Sequence, residues 1–478
     1  MRTLAADAIV VGSGPNGLAA AITLAQAGVG VQVFEAQAAA GGGVRSAELT
    51  LPGFIHDLGS GIHPLAFDSP FFRTLPLQDH GLTWVHSPAP LAHALEGGDA
   101  VTLESSIPGT ASQLLEDAGS YTHLFQGAAA VWSELRGSLR ARPLLRHPAT
   151  VARLALECAG SANGLAERNF RSAKGRALVA GLAGHASLPL RKASTAGIAI
   201  ALATTGHVGG WPFPKGGAQK LTDALAGYLQ SLGGSIQTGV RITSLRQLPP
   251  ARAVLLDVTP RQFLAIGGDR LPARYAQLLR RFRYGMGAFK MDWALSQPVP
   301  WASPGLGRAA TVHIGGTLEE IAAAEMAAWS GTPSEKPFLI AAQHSLFDPS
   351  RAPSGRHTLW AYCHVPNGAS VDMTAAMEGQ IERFAPGFRD CILARSVLPP
   401  RALESLNENL IGGDIMGGLQ DLYQVLVRPT LRYWTTPLPG VYLCSASTPP
   451  GGGVHGMCGH IAARIALRRQ FGIRTENP

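Results

Sequence analysis

Three glycines near the start of the chain, Gly12, Gly14 and Gly17, have the spacing a backbone needs to close around a pair of phosphates. They lie in the run Val10-Val11-Gly12-Ser13-Gly14-Pro15-Asn16-Gly17, between an apolar stretch and an alanine-rich one. In a strand–turn–helix unit the first glycine allows a sharp turn. The second lets the main chain approach a pyrophosphate, and the third allows close helix packing. The helix N-terminus, opened by Pro15 and Asn16, then offers N–H groups and a positive dipole end to the anion. Glu35, with Ala36 beside it, closes the next apolar run. A carboxylate there accepts hydrogen bonds from ribose hydroxyls and disfavours a 2′-phosphate, so NADP is not expected. It does not separate NAD from FAD.

A second glycine set does. The run Leu443-Cys444-Ser445-Ala446-Ser447-Thr448-Pro449-Pro450-Gly451-Gly452-Gly453-Val454-His455-Gly456 leads into a helix-like stretch. A glycine turn at a second helix N-terminus supplies a second positive dipole end, which can face the electron-rich edge of a reduced isoalloxazine. A nicotinamide nucleotide needs no such site. Gly41-Gly42-Gly43, followed by Arg45-Ser46, adds another close approach of backbone just after Glu35. These features point to FAD. No second GxGxxG occurs for a nicotinamide nucleotide, so electrons are expected to pass to oxygen, a quinone or another acceptor.

The elements that must position these residues follow from hydrophobic pattern. Residues 8–11 and 29–34 read as buried parallel strands around a helix at 18–27 that Gly28 ends. From 79 to 211 helical patterns dominate, for example 111–118, 124–135 and 171–182. The α/β texture returns at Gly216-Gly217, with a helix at 221–232 and strands at 235–240, 241–245 and 253–258. Residues 285–295 alternate as a strand, 359–365 read as another, and 441–444 precede a helix at 454–467. The expected fold is therefore α/β. A Rossmann-like FAD domain is assembled from 1–78, 215–285 and 425–478, and a mixed α+β substrate domain comes from 79–214 and 286–424.

Composition bounds the rest. The chain has 478 residues, 46% hydrophobic and 15% charged, which suits a large core in two domains. The net charge of +8 lacks a long Lys/Arg run, so nucleic acid is not an expected partner. Peripheral contact with an anionic membrane surface is compatible with it. Five scattered cysteines without a CxxC pair suggest neither a metal site nor disulfides. With no signal-peptide pattern and no apolar run of membrane-spanning length, a cytoplasmic protein is expected. The signatures GxxxxGK[ST], HExxH and GxSxG are missing, which removes their chemistries.

The motifs at 12–21, Asp57-Leu58-Gly59-Ser60, Pro214-Lys215-Gly216-Gly217 and 447–459 together resemble the phytoene desaturase-like branch of the FAD-dependent amine oxidase superfamily. The resemblance covers almost the whole chain. It implies that Gly12, Gly14 and Gly17 hold the pyrophosphate and Glu35 the ribose. Gly42, Gly43, Gly59 and Ser60 would line the flavin and phosphates, and Val240 would meet the adenine through its backbone. Ser445, Gly452, Gly453, Val454 and His455 would approach the flavin ring. The sequence departs from that pattern at Gly43, where Arg is usual, so that a phosphate contact is either missing or supplied by Arg45, and at Ser445, where Gly is usual.

For the chemistry, the resemblance marks Lys290, in Tyr284-Gly285-Met286-Gly287-Ala288-Phe289-Lys290, as a lysine aimed at flavin N5 through a water. Desolvation there would let it handle a proton. The alternative is a strand lysine on a solvent face, with Phe289 and Met291 buried instead. His455 is a second catalytic candidate or a turn residue. His63 and His207 are candidates for substrate contact or for packing. Asp414, in a glycine-rich segment, is a cavity-lining residue or a turn residue. The expected activity is a dehydrogenase or desaturase. It would take a hydride from a C–H bond of a largely apolar, isoprenoid-like molecule. A flavin amine oxidase, a flavin-dependent double-bond isomerase and a prenyl-lipid escort protein are the alternatives.

Overall fold

The computed structural model describes residues 6–137 and 146–474. Residues 1–5 and 475–478, at the ends of the expected cofactor domain, and 138–145, in the first expected insertion, lie outside the described residues. The chain has an α/β fold built on two main sheets. The first is parallel throughout, in the order Val441–Leu443, Ala253–Leu256, Ala8–Val11, Val31–Phe34, Ser235–Gln237. Its strands come from three separate stretches of chain. Ala8–Val11 and Ala253–Leu256 are apolar and almost wholly buried because helices cover both faces. Pro15–Gln26, Gln219–Ser231 and Met457–Ala466 pack on one face, and Pro260–Gly267 with Ala273–Arg280 packs on the other. Fully burying each Leu or Val of such a core contributes about 1.5–3 kcal/mol.

The turn after the central strand explains its glycines. Gly12 has φ +98°, which only glycine takes without strain. A Cβ on Gly17 would run into the Gly12 carbonyl oxygen. The helix begins at Pro15, three residues before the sequence places it, because Gly14 already holds an extended N-cap conformation and Pro15 suits the first turn.

The second sheet has seven strands, in the order Ile392–Leu398, Gly287–Leu295, His357–Val365, Leu339–Ala342, Ala309–Ile314, Ala89–Ala94, Ala100–Leu103. All nine residues of Gly287–Leu295 are buried. Phe289, Met291, Trp293 and Leu295 pack with Met377, Ile381 and Phe384 of the helix Thr374–Phe384. The opposite face of the sheet lies under Ala173–Gly184 and Thr195–Val208.

Four expectations need correction. The stretch from 79 to 211 is not helical from its start: Ala89–Ala94 and Ala100–Leu103 are strands of the second sheet. Residues 241–245 form no strand. The chain turns at Gly239, φ +72°, and makes a short 3-10 turn at Leu245–Gln247. Residues 111–118 straddle a break between Ile107–Ala111 and Ala118–Gly137, with Leu115 left-handed at φ +49°. The last helix starts at Met457, not 454, because Gly456 caps it in the left-handed region.

Candidate functional site

A cavity of about 550 Å³ lies between the two sheets and has two arms. The outer arm follows the carboxyl ends of the parallel strands, where open α/β sheets bind ligands at the point of strand-order reversal. Gly12, Gly14, Pro15 and Asn16 line it, together with Glu35, Ala36, Gly42 and Gly43. Glu35 is held in place before any ligand arrives. The N–H and Oγ of Ser13 donate to its Oε2 at 2.9 and 2.6 Å, and the N–H of Gln37 donates to Oε1 at 2.8 Å. Val240 lines this arm too, but its N–H already donates to the Glu35 carbonyl at 2.8 Å, which leaves its own carbonyl for a ligand.

The trough is walled by glycines where a side chain has no room. A Cβ on Gly14 would lie 2.8 Å from the Asp257 carboxylate, and one on Gly59 would strike the Gly43 carbonyl. One on Gly452 would lie 2.7 Å from the Met416 carbonyl oxygen. Gly59, Ser60, Ser445, Gly452, Gly453 and Val454 carry the lining from the outer arm into the inner one. The buried Asn16 Oδ1 has no partner within the protein. A long trough with a helix N-terminus at one end and a carboxylate along it fits a dinucleotide, and its extension past a second glycine turn fits the flavin of FAD.

The inner arm is lined by Ile62, His63, Leu65, Ile198 and Leu202 on one side and by Lys290, Ile340, Trp360 and Tyr362 on the other. Lys290 is 2% exposed, so it is not on a solvent face. Both faces of its strand are buried, which removes the choice between Lys290 and the Phe289–Met291 pair. It donates to Asp292, two residues on and on the same side of the strand, and lies 5.9 Å from the Trp360 ring centroid. His63 is buried, and neither ring nitrogen has a protein partner. Burial pushes its pKa down to about 4, so the ring is neutral.

Other candidates are placed elsewhere. His455 is not among the cavity-lining residues. Its Nδ1 accepts the Met457 N–H at 3.0 Å, capping the last helix. His207 bonds to the Tyr121 hydroxyl at 2.7 Å and packs against Phe125, away from the cavity. Asp414 is wholly buried behind the wall and accepts the N–H groups of Gly285, Met416 and Gly418. Arg45 does not line the trough. It donates to the carbonyls of Gly42 and Leu406 at 3.0 and 2.7 Å, so it shapes the glycine turn. Gly17 lies behind the trough, its N–H donated to Asp257 Oδ2 at 3.0 Å.

Sequence reasoning missed several supports. Asp257 ends the strand Ala253–Leu256 beside the phosphate turn and lines the cavity. Burial raises its pKa to about 7, Glu35 adds to the rise, and the Gly17 N–H opposes it. Its position at the carboxyl end of a parallel strand was the available signal. Arg428, 1% exposed, donates to the carbonyls of Met416, Gly417 and Ala446 and so holds the wall near Gly452. Asp57 binds Arg351 through both oxygens and takes the Ala218 N–H, which fixes the approach to Gly59.

Residues 16–275, more than half of the chain, match the family of flavin containing amine oxidoreductases. The chain belongs to that family. Pyridine nucleotide-disulfide oxidoreductase domain-containing protein 2 of Mus musculus is 25% identical over 97% of this chain and 93% of its own length. Among solved structures, an oxidoreductase from Methanosarcina mazei has a TM-score of 0.65 at 17% identity, covering 96% of this chain and 99% of that one. Putrescine oxidase bound to putrescine has a TM-score of 0.61 at 17% identity, covering 97% and 99%. At these identities the solved structures share the fold. The protein is an FAD-dependent oxidoreductase of the amine oxidase superfamily. Among the described residues no helix is long and apolar enough to cross a membrane.

Proposed function

We propose that the protein is a dehydrogenase or desaturase of the phytoene desaturase-like branch. Its substrate would be a largely apolar molecule of isoprenoid type, oxidised at a C–H bond. The observation that carries this reading is the inner arm. Its walls are mainly Ile, Leu, Ala and aromatic side chains, and the lining carboxylates Glu35, Asp257 and Glu408 all belong to the outer arm. A cationic substrate would meet no lining carboxylate beside Lys290, whose partner Asp292 does not line the cavity, whereas an apolar one gains from each buried CH₂.

FAD, when bound, would supply the redox chemistry, with oxygen or a quinone as the electron acceptor. The protein's share is binding, orientation and proton control. The apolar walls exclude water. His63, neutral and unpartnered, offers one donor and one acceptor to any polar end of the substrate. Lys290 stands where a proton can be taken up. The glycine trough, Glu35 and the Val240 carbonyl would hold the cofactor.

Anaerobic bleaching of the flavin by a panel of polyenes, prenyl lipids, amines and cyclic alcohols tests the proposal. Bleaching by a polyene or prenyl lipid is expected. Trp360 and Tyr362, edge to face at 5.4 Å beside Lys290, favour a second reading, an amine oxidase, and bleaching by amines alone would establish it. A double-bond shift without bleaching would make the protein an isomerase. Tight prenyl-lipid binding without turnover would make it an escort. The same apolar substrate motivates peripheral membrane contact, for which the exposed Tyr423, Leu426 and Leu431 offer a surface.

A further inference from the structure

Behind Lys290 a line of hydrogen-bonding groups leads back toward the surface. Lys290 Nζ donates to Asp292 Oδ2. The other carboxylate oxygen, Asp292 Oδ1, faces His56 Nδ1 at 3.5 Å. On the far side of that ring, His56 Nε2 pairs with Thr50 Oγ1 at 2.8 Å. Lys290, Asp292 and His56 are buried. Thr50 is half-buried, in the connection between the short strands Ser46–Glu48 and Ile55–Asp57. The line therefore begins in the inner arm of the cavity and ends beside solvent.

Its middle link is the informative one. His56 Nδ1 and Asp292 Oδ1 are both buried and both lack a hydrogen-bond partner, although they face each other. Leaving a buried polar atom unsatisfied forfeits the hydrogen bonds it would make with water. A proton on either atom turns this approach into a hydrogen bond. Burial raises the Asp292 carboxyl to about 6 against the pull of Lys290, and burial lowers the His56 ring to about 3, helped by Lys290, Arg351 and His344 and opposed by Asp57. Near neutral pH the ring is uncharged, with one nitrogen to receive and one to give. Asp57, locked on Arg351 and held well below the usual carboxylate range, does not compete for the proton.

We infer that Lys290, Asp292, His56 and Thr50 form a proton path between the reacting end of the cavity and solvent. The inference rests on the proposed reading of Lys290. Converting a C–H bond and its neighbour into a double bond removes two electrons and two hydrogens. One hydrogen leaves with the electron pair, and the other leaves as a proton. Lys290 gives a proton to Asp292 and takes the substrate's proton in its place. Asp292 passes one from Oδ1 to His56 Nδ1, His56 passes one from Nε2 to Thr50 Oγ1, and Thr50 releases one to water. Reduction of oxygen or a quinone then consumes two electrons and two protons, and the path supplies a proton in the reverse direction. Asp292, His56 and Thr50 act through Lys290 and are positioning residues.

Two measurements decide the matter. The purified protein labelled with ¹⁵N-histidine is titrated through the neutral range. The His56 ring signals should move with a midpoint that belongs to Asp292, near 6, and that movement should vanish in Asp292→Asn. A His56 titration identical in both proteins overturns the link. In the second, flavin reduced by light without substrate is mixed with oxygen, and reoxidation is followed in H₂O and D₂O. Thr50→Val, a near-isosteric change at the rim, should slow reoxidation about tenfold and enlarge the solvent isotope effect, a modest loss for general acid–base catalysis. Thr50→Ser should restore both. Unchanged rates and isotope effects in Thr50→Val also overturn the path. Purified protein without flavin would defeat the functional reading instead, and the His56 titration would still report on the coupling.

Discussion

At Asp257 a carboxyl group stands beside the turn that, in the proposed reading, would receive a pyrophosphate, which looks like a conflict of charge. Its raised pKa, about 7 through burial, resolves it below neutral pH, where the group is protonated. The sign follows from linkage. FAD carries negative phosphates and prefers the neutral carboxyl, so its affinity should fall as pH rises through about 7. Folding has the same sense. The unfolded carboxyl loses its proton near 3.8, so stability falls from there up to about 7 and then levels. Asp257→Asn should flatten both profiles, as measured by FAD release and by thermal unfolding across pH. At Lys290 the expectation is kinetic. Lys290→Met should leave the flavin spectrum intact and slow bleaching by the substrate that the panel identifies by about 10²–10⁴-fold, the range of a general base. Unchanged bleaching and reoxidation rates would remove Lys290 from the chemistry.

Helices packed on the second sheet depend on small residues. On Gly184, in Ala173–Gly184, a Cβ would drive into the Phe338 ring. Gly184→Ala should therefore destabilise the protein by about 1–3 kcal/mol, the cost of overpacking, seen as a lower melting temperature with the flavin spectrum retained. Elements of this kind were partly legible. The first strand–turn–helix–strand unit was readable because its apolar runs and glycines carry the geometry locally. Ala89–Ala94 was not. Its sequence APLAHA has low strand propensity, and Pro90 removes one ladder N–H. The sheet accepts it because the paired residues of Ala309–Ile314 skip that position. Lys290 was legible as a strand residue, but not which way it pointed, since burial on both faces is a tertiary fact. For His455 and His207 the sequence left a cavity role and a turn or packing role open for the same reason. Adjacency to a glycine turn does not say where an imidazole aims, and here one caps a helix while the other meets Tyr121.

Across the whole molecule the cavity links two sheets of different kinds, so in the proposed reading cofactor and substrate would be held by separate frames that meet near Lys290. The apolar substrate proposed above would have to reach that meeting point, and an exposed apolar segment is a candidate for collecting it. Leu422, Tyr423, Val425, Leu426 and Leu431 are exposed in one short segment. That segment continues from Ile415, Met416 and Gly417 of the cavity wall. Arg283 pairs with Asp421 at its edge, and Arg280, Arg281 and Arg432 are exposed nearby in sequence or packing. Exposed apolar side chains with arginines nearby suit the interface of an anionic bilayer, with about 1 kcal/mol of attraction per basic residue near the surface. The protein should co-sediment with vesicles containing anionic lipid and not with neutral ones, and added salt should weaken the binding. The double substitution Leu426→Ser and Leu431→Ser should reduce co-sedimentation about tenfold or more through lost apolar burial. Because both side chains are exposed, folding and the flavin spectrum should be unaffected. Binding that ignores both lipid charge and these substitutions would rule this surface out as the membrane contact, and the substrate would then have to reach Lys290 from solution.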